Sequence, residues 1–169
     1  VMARPYALGQ GDEYDYFYNL RTQGGAFFWN RLLLWSPRPL SEGAIALYGM
    51  AVAHWNRPLI GWALGLIWAC CAMLAFAPVL SGRGPNGSQF LARAFLVAFA
   101  LMLVFLGHPI ADLQYWPMAA VAHLPVVAAA TCLTLALIAG RSSPRLEALC
   151  LSIAAASSEA GLFLAGSYI

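Results

Sequence analysis

From residue 58 onward the chain is a succession of apolar runs broken only by short stretches of Arg, Gly and Pro, and few folds accept that pattern. A helix that crosses a bilayer needs about 20 mostly apolar residues. Four stretches reach that length: 58–80, 89–107, 117–140 and 146–167. Asn56-Arg57-Pro58 opens the first, and Ser81-Gly82-Arg83-Gly84-Pro85-Asn86-Gly87 parts it from the second. Gly107-His108-Pro109 ends the second, and Arg141-Ser142-Ser143-Pro144-Arg145 divides the third from the fourth. Composition agrees: 9% of the residues are charged and 62% are hydrophobic, where a soluble domain carries about 25% charged residues. Such a chain has too few polar groups to cover a water-facing surface, so lipid is its expected solvent.

Other classes are set aside on the same grounds. The net charge is +2, all nine basic residues are Arg, and no basic run is present, so nucleic acid is not expected as a partner. The four cysteines lie in apolar runs without metal-ligand spacing and read as small buried hydrophobes. No signal-peptide pattern occupies the first forty residues. The opening Val1-Met2-Ala3-Arg4 and an apolar run that reaches Ile169 make a fragment of a longer chain the expectation.

The sidedness of the spans depends on residues 40–55, an apolar helix of about 16 residues that is short for a crossing. If it lies at the interface, Arg83 and the Arg141/Arg145 loop share one side, which the positive-inside rule makes cytoplasmic. Residues 1–57 and the loop 108–116 then share the extracytoplasmic side. The expected architecture is therefore all-α, a polytopic transmembrane helix bundle at 58–169. A long first extracytoplasmic loop at 1–57 carries interfacial helices. Within it, acids followed by aromatics predict a helix over 12–23 that ends at Gly24-Gly25, and an apolar aromatic piece runs over 26–35.

The chemistry-bearing residues are few. Of seven acids, Asp12, Glu13 and Asp15 fall within four positions. They suit the first turn of a helix, with Asp12 as its cap, and they equally suit a general base or a metal-coordinating carboxylate at the membrane surface. Arg38, flanked by prolines, is either an interfacial anchor or a fork for a phosphate. Asp112, Tyr115 and Trp116 could border the same cleft, although Tyr and Trp are also the usual interface belt. Glu159, inside an apolar run beside Ser157 and Ser158, has to face the bundle interior or a wet cavity, since insertion of an ionised side chain costs roughly 2–3 kcal/mol or more.

Four elements carry a family resemblance. They are Gly11-Asp12-Glu13-Tyr14-Asp15; Trp35-Ser36-Pro37-Arg38-Pro39-Leu40-Ser41; the stretch from Leu113-Gln114-Tyr115-Trp116-Pro117 to His123-Leu124-Pro125; and Ser157-Ser158-Glu159-Ala160-Gly161. Together they resemble the bacterial polytopic GT-C glycosyltransferases of the glucosyl- and mannosyltransferase type. The helix that precedes the acidic motif in those proteins is missing here, and His123 stands where relatives often place an aromatic residue. The resemblance implies an inverting transferase in the bacterial inner (plasma) membrane. It would use a polyprenyl-phosphate-linked sugar as donor and a glycan or lipid as acceptor, with its active face extracytoplasmic. Asp12 would be the base that deprotonates the acceptor hydroxyl, with Glu13 or Asp15 as alternates, and Arg38 would balance the leaving phosphate. The sequence leaves open whether a divalent metal takes part. A transporter or lipid-handling protein, with Glu159 and Asp112 along a path, is the competing expectation. A non-catalytic membrane scaffold is a third.

Overall fold

The computed structural model describes residues 11–35, 37–55, 59–80, 89, 92, 95 and 117–168. Every element among them is helical: α1 (Gly11–Gln23), α2 (Gly25–Asn30), α3 (Pro39–Trp55), α4 (Ile60–Leu80), α5 (Pro117–Ile138), α6 (Pro144–Ser157) and α7 (Glu159–Tyr168). A wider π-type turn, Arg31–Trp35, extends α2. Gly24 separates α1 from α2 at φ 60, a left-handed conformation that glycine adopts without steric cost.

Two helices are long and apolar enough to cross a membrane, Ile60–Val79 within α4 and Pro117–Ile138. They differ in surroundings. Only 6% of the α4 segment is buried against 56% of α5, so α5 is the central helix and α4 lies at the periphery, with Trp62, Leu66 and Met73 exposed. The two run parallel. Trp62 and Leu66 share a groove with Pro117 and Val121, Leu74 packs on the cluster around Ala129 and Cys132, and Arg141 Nη1 donates to the Pro78 carbonyl at 2.9 Å. Leu80 and Pro117 therefore stand at opposite ends of the bundle. The span expected at 89–107 lies, apart from residues 89, 92 and 95, outside the described residues.

α5 closes where its sequence says it should. Gly140 takes φ 63, its N–H bonds the Leu137 carbonyl at 3.1 Å, and the Arg141 N–H bonds Ala136 at 2.8 Å. This is the paired C-terminal capping arrangement that a left-handed glycine makes possible. Ser143 then caps α6, its hydroxyl accepting the Leu146 N–H at 3.3 Å, with Pro144 in the first turn. α6 returns along α5 with small residues at the contact. Ala129, Cys132, Cys150 and Ala154 are wholly buried, and this lets the helix backbones approach closely.

The span expected at 146–167 is not one continuous helix. Ser158 is extended (φ −160, ψ 165) and breaks it. The Ser158 hydroxyl accepts the Gly161 N–H at 3.2 Å and so starts α7 as a new helix. α7 folds back antiparallel on α6: Gly161 sits directly against the Ala154 backbone carbonyl, Leu164 packs on the Cys150–Ala154 cluster, and Tyr168 comes within electrostatic reach of Glu147. The two helices form a hairpin with its tip at Ser157–Glu159. Mean hydropathy registers the length of an apolar run and is blind to a two-residue serine break in its middle.

α3 buries one stripe, Ser41, Glu42, Ile45, Ala46 and Gly49, a spacing that places all five on one helical face. Its first turn meets the N-terminal end of α5 and the hairpin tip. Farther along, Gly49 lies under the Phe17 ring and Leu20 of α1; a Cβ there would stand 3.0 Å from the ring. α3 thus joins the aromatic N-terminal helices to one end of the bundle.

Candidate functional site

The joint is made by one hydroxyl. Pro125 has no N–H, so the Val121 carbonyl four residues earlier loses its usual helical donor. The Ser157 carbonyl, at the end of α6, is likewise without a following helical turn. Ser41 Oγ sits between them, 3.2 Å from the Val121 oxygen and 2.5 Å from the Ser157 oxygen. Its single proton can serve either. This pins α3, α5 and the hairpin tip together at a buried point.

Around that point opens a cavity of about 490 Å³. Asp15, Tyr16 and Asn19 of α1, Phe27, Arg31 and Trp35, Arg38 ahead of α3, and Ser41 and Glu42 of α3 line it, together with Met118, Ala119, Ala122 and His123 of α5 and Glu159 of α7. Asp15 is exposed in it. Arg38 Nε lies 3.6 Å from Glu159 Oε1, and Glu159 remains 61% exposed, so this is a loose ion pair at the cavity margin.

A tighter pair forms the wall. Arg31 donates from Nε to Glu42 Oε2 and from Nη2 to Glu42 Oε1, each at 3.0 Å, the two-point geometry in which guanidinium meets carboxylate best. Glu42 is 1% exposed. The guanidinium is stacked as well as bonded: its centre lies 4.6 Å from the Trp35 ring, 5.0 Å from Tyr16 and 5.9 Å from Phe27. The Tyr16 hydroxyl donates to the Glu42 carbonyl at 3.4 Å. Burial, with the Glu42 carboxylate adding to it, pushes the Tyr16 phenol up to about 12 against the opposing influence of Arg31, so it remains a neutral donor.

Of the residues singled out from sequence, Asp15, Arg38 and Glu159 line one cavity although 144 positions (159 − 15) part the first from the last. Asp12 and Glu13 belong to α1, whose described part already includes Gly11, so Asp12 stands within the helix and not ahead of it. Their side chains, and all of Asp112, Tyr115 and Trp116, lie outside the described residues. His123, set apart in the sequence only as a departure from a family pattern, faces the cavity. Arg31 and Glu42 were not singled out. The available signal was a glutamate inside an otherwise apolar helix, in a chain with seven acids, preceded by an arginine among aromatics. Among the described residues no group of three or more His, Cys, Asp or Glu could hold a metal ion.

Comparison of the chain with known protein families, with curated proteins and with solved structures gives no match. The functional reading therefore rests on the residues and their arrangement.

Proposed function

We propose that the chain is part of a polytopic α-helical membrane enzyme of the GT-C glycosyltransferase type, which moves a sugar from a polyprenyl-phosphate donor to an extracytoplasmic acceptor. One observation carries this reading: three carboxylates, two guanidinium groups, a histidine and several aromatic rings share one cavity at the end of a bundle whose helices suit a bilayer. Glycosyl transfer from a lipid phosphate needs those parts at such a boundary. A base takes the acceptor hydroxyl proton, a cation meets the phosphate as it leaves the anomeric carbon, and aromatic faces receive the sugar. Asp15 is the base in this reading, with Asp12 and Glu13 in the same helix as alternates, and Arg38 meets the phosphate.

Sidedness supports the same reading. The cavity lies at the end where α4 and α5 begin, and Arg141 lies at the other. If the loop that carries Arg141 and Arg145 is cytoplasmic, the cavity end is extracytoplasmic, the side a bacterial inner-membrane transferase of this kind needs.

The test is transfer of sugar by the full-length protein in proteoliposomes supplied with a polyprenyl-phosphate sugar. Asp15→Asn should lower turnover about a hundredfold or more, the usual range for loss of a general base. Unchanged turnover in Asp15→Asn, Asp12→Asn and Glu13→Gln alike would remove the carboxylate from the chemistry.

The hairpin favours a second reading. Broken helices with an ionisable residue at the break line substrate paths in many transporters, and Glu159 sits at a helix break that opens on the cavity. A transporter would lose substrate flux in Glu159→Gln and show no dependence on a lipid-linked sugar.

A further inference from the structure

Burying an ion pair is rarely worth its desolvation, and replacing such a pair with apolar residues is often neutral or stabilising. A chain with nine basic and seven acidic residues nevertheless places an ion pair, Arg31 and Glu42, in the wall of the 490 Å³ cavity. The geometry suggests what the pair does. Glu42 engages Nε and Nη2 of Arg31, which leaves the two N–H donors of Nη1 unspent on the carboxylate. The aromatic faces of Tyr16, Phe27 and Trp35 hold the guanidinium plane, and the π-type turn that carries it is a backbone feature common at functional sites. Such an arginine has given up most of its rotamer freedom before any ligand arrives.

Next to this cavity lies a second one of about 330 Å³ between α3, α4 and the start of α5, apolar throughout. Leu47, Tyr48, Trp62, Leu66 and Val121 line it, and Ile45 borders both cavities. A ligand with a phosphate at one end and a hydrocarbon chain at the other would fill the pair.

We infer that Arg31 is a phosphate-binding residue, that Glu42 is its positioning residue, and that the phosphate belongs to a ligand whose hydrocarbon chain occupies the groove beyond Ile45. This rests on the lipid-phosphate reading above but assigns the principal phosphate contact to Arg31. Arg38, engaged with Glu159, becomes a second contact that the phosphate gains by displacing that carboxylate.

The experiment uses the full-length protein in detergent with farnesyl phosphate, farnesol or inorganic phosphate as probe. Modification of Arg31 by phenylglyoxal is followed by mass spectrometry, with Arg145, outside the cavity, as internal reference. Farnesyl phosphate should protect Arg31 and leave Arg145 reactive, while farnesol gives no protection. Inorganic phosphate failing at the same concentration assigns the phosphate to a lipid; equal protection by inorganic phosphate keeps the phosphate site and removes the groove from it. Arg31 reacting equally with and without both phosphates, or protected equally by farnesol, overturns the inference. Arg31→Lys keeps the charge and loses the fork, and should weaken farnesyl phosphate about tenfold, the worth of one charged hydrogen bond. Glu42→Gln should lower the ratio of farnesyl phosphate to farnesol affinity, a selectivity that general loss of fold would not alter. If either variant does not fold, the protection result on the unaltered protein decides. Protection without sugar transfer would leave the phosphate site standing and sink the transferase, and transfer without protection would do the reverse.

Discussion

Burying a carboxylate without a partner costs several kcal/mol, and Glu42 avoids that penalty through Arg31 and the rings around it. Tyr16 completes the arrangement with a pH signature of its own. Its phenol is held up to about 12 in the folded protein, chiefly by burial, against an ordinary value near 10. Because the folded state binds that proton more tightly, the stabilising contribution is complete below pH 10. It is lost as the pH rises from about 10 to about 12, on the order of 2 kcal/mol in all. Melting temperature should therefore fall more steeply over that window in the unaltered protein than in Tyr16→Phe. Parallel slopes would show that the phenol is not held in the way described. At this scale the sequence was legible only where a residue type is unusual in its context. Asp15, Arg38 and Glu159 stand out as charges in or near apolar runs. The pairing of Arg31 with Glu42 spans eleven positions across a turn, and no helical period connects them. It exists because α3 folds back beneath the aromatic helices.

Elements were more legible than contacts, since caps and breakers act locally. Gly24-Gly25 ended α1, Ser36 and Pro37 lie ahead of α3, and Gly140 through Pro144 made a complete stop and start between α5 and α6. The hairpin escaped because its break is made by Ser157 and Ser158, which an apolar helix can accommodate by bonding back to its own carbonyls. Ser157 does so, donating to Ile153 at 2.6 Å, while Ser158 turns the chain. What commits the chain to fold back is Gly161, whose missing side chain lets α7 meet the Ala154 backbone. A single helix through 147 and 168 would hold those positions about 30 Å apart at 1.5 Å per residue; in the hairpin the two come within electrostatic reach of each other. Cysteines placed at 147 and 168, with the native four replaced, should join in high yield on mild oxidation. Adding Gly161→Val should abolish the joining, because a side chain there collides with backbone. Joining that survives Gly161→Val would mean that the hairpin does not depend on this close approach.

For the whole molecule, the hairpin replaces the single long helix expected at 146–167 while the cavity stays at one end. A straight fourth span would carry residue 167 to the end opposite Arg141, next to the cavity. The hairpin brings it back toward the Arg141 end, and only Ser157–Glu159 reaches the cavity. That placement gives Glu159 a wet surface to face, which answers the cost of an ionised group in an apolar run without requiring a partner across the bilayer. It also makes the N-terminal helices part of the site and not a mere surface layer, since Asp15 and Arg31 line the same cavity as the hairpin tip. The proposed membrane placement makes a sidedness prediction. Single cysteines at 142 and 167, in full-length protein with the native cysteines replaced, should react with an impermeant maleimide from the same side of sealed vesicles, and a cysteine at 19 from the other. Labelling of 167 from the side of 19 would restore a fourth crossing. Labelling of 19 and 142 from one side would detach the cavity from the extracytoplasmic face, and the transferase reading would lose its access to an acceptor there.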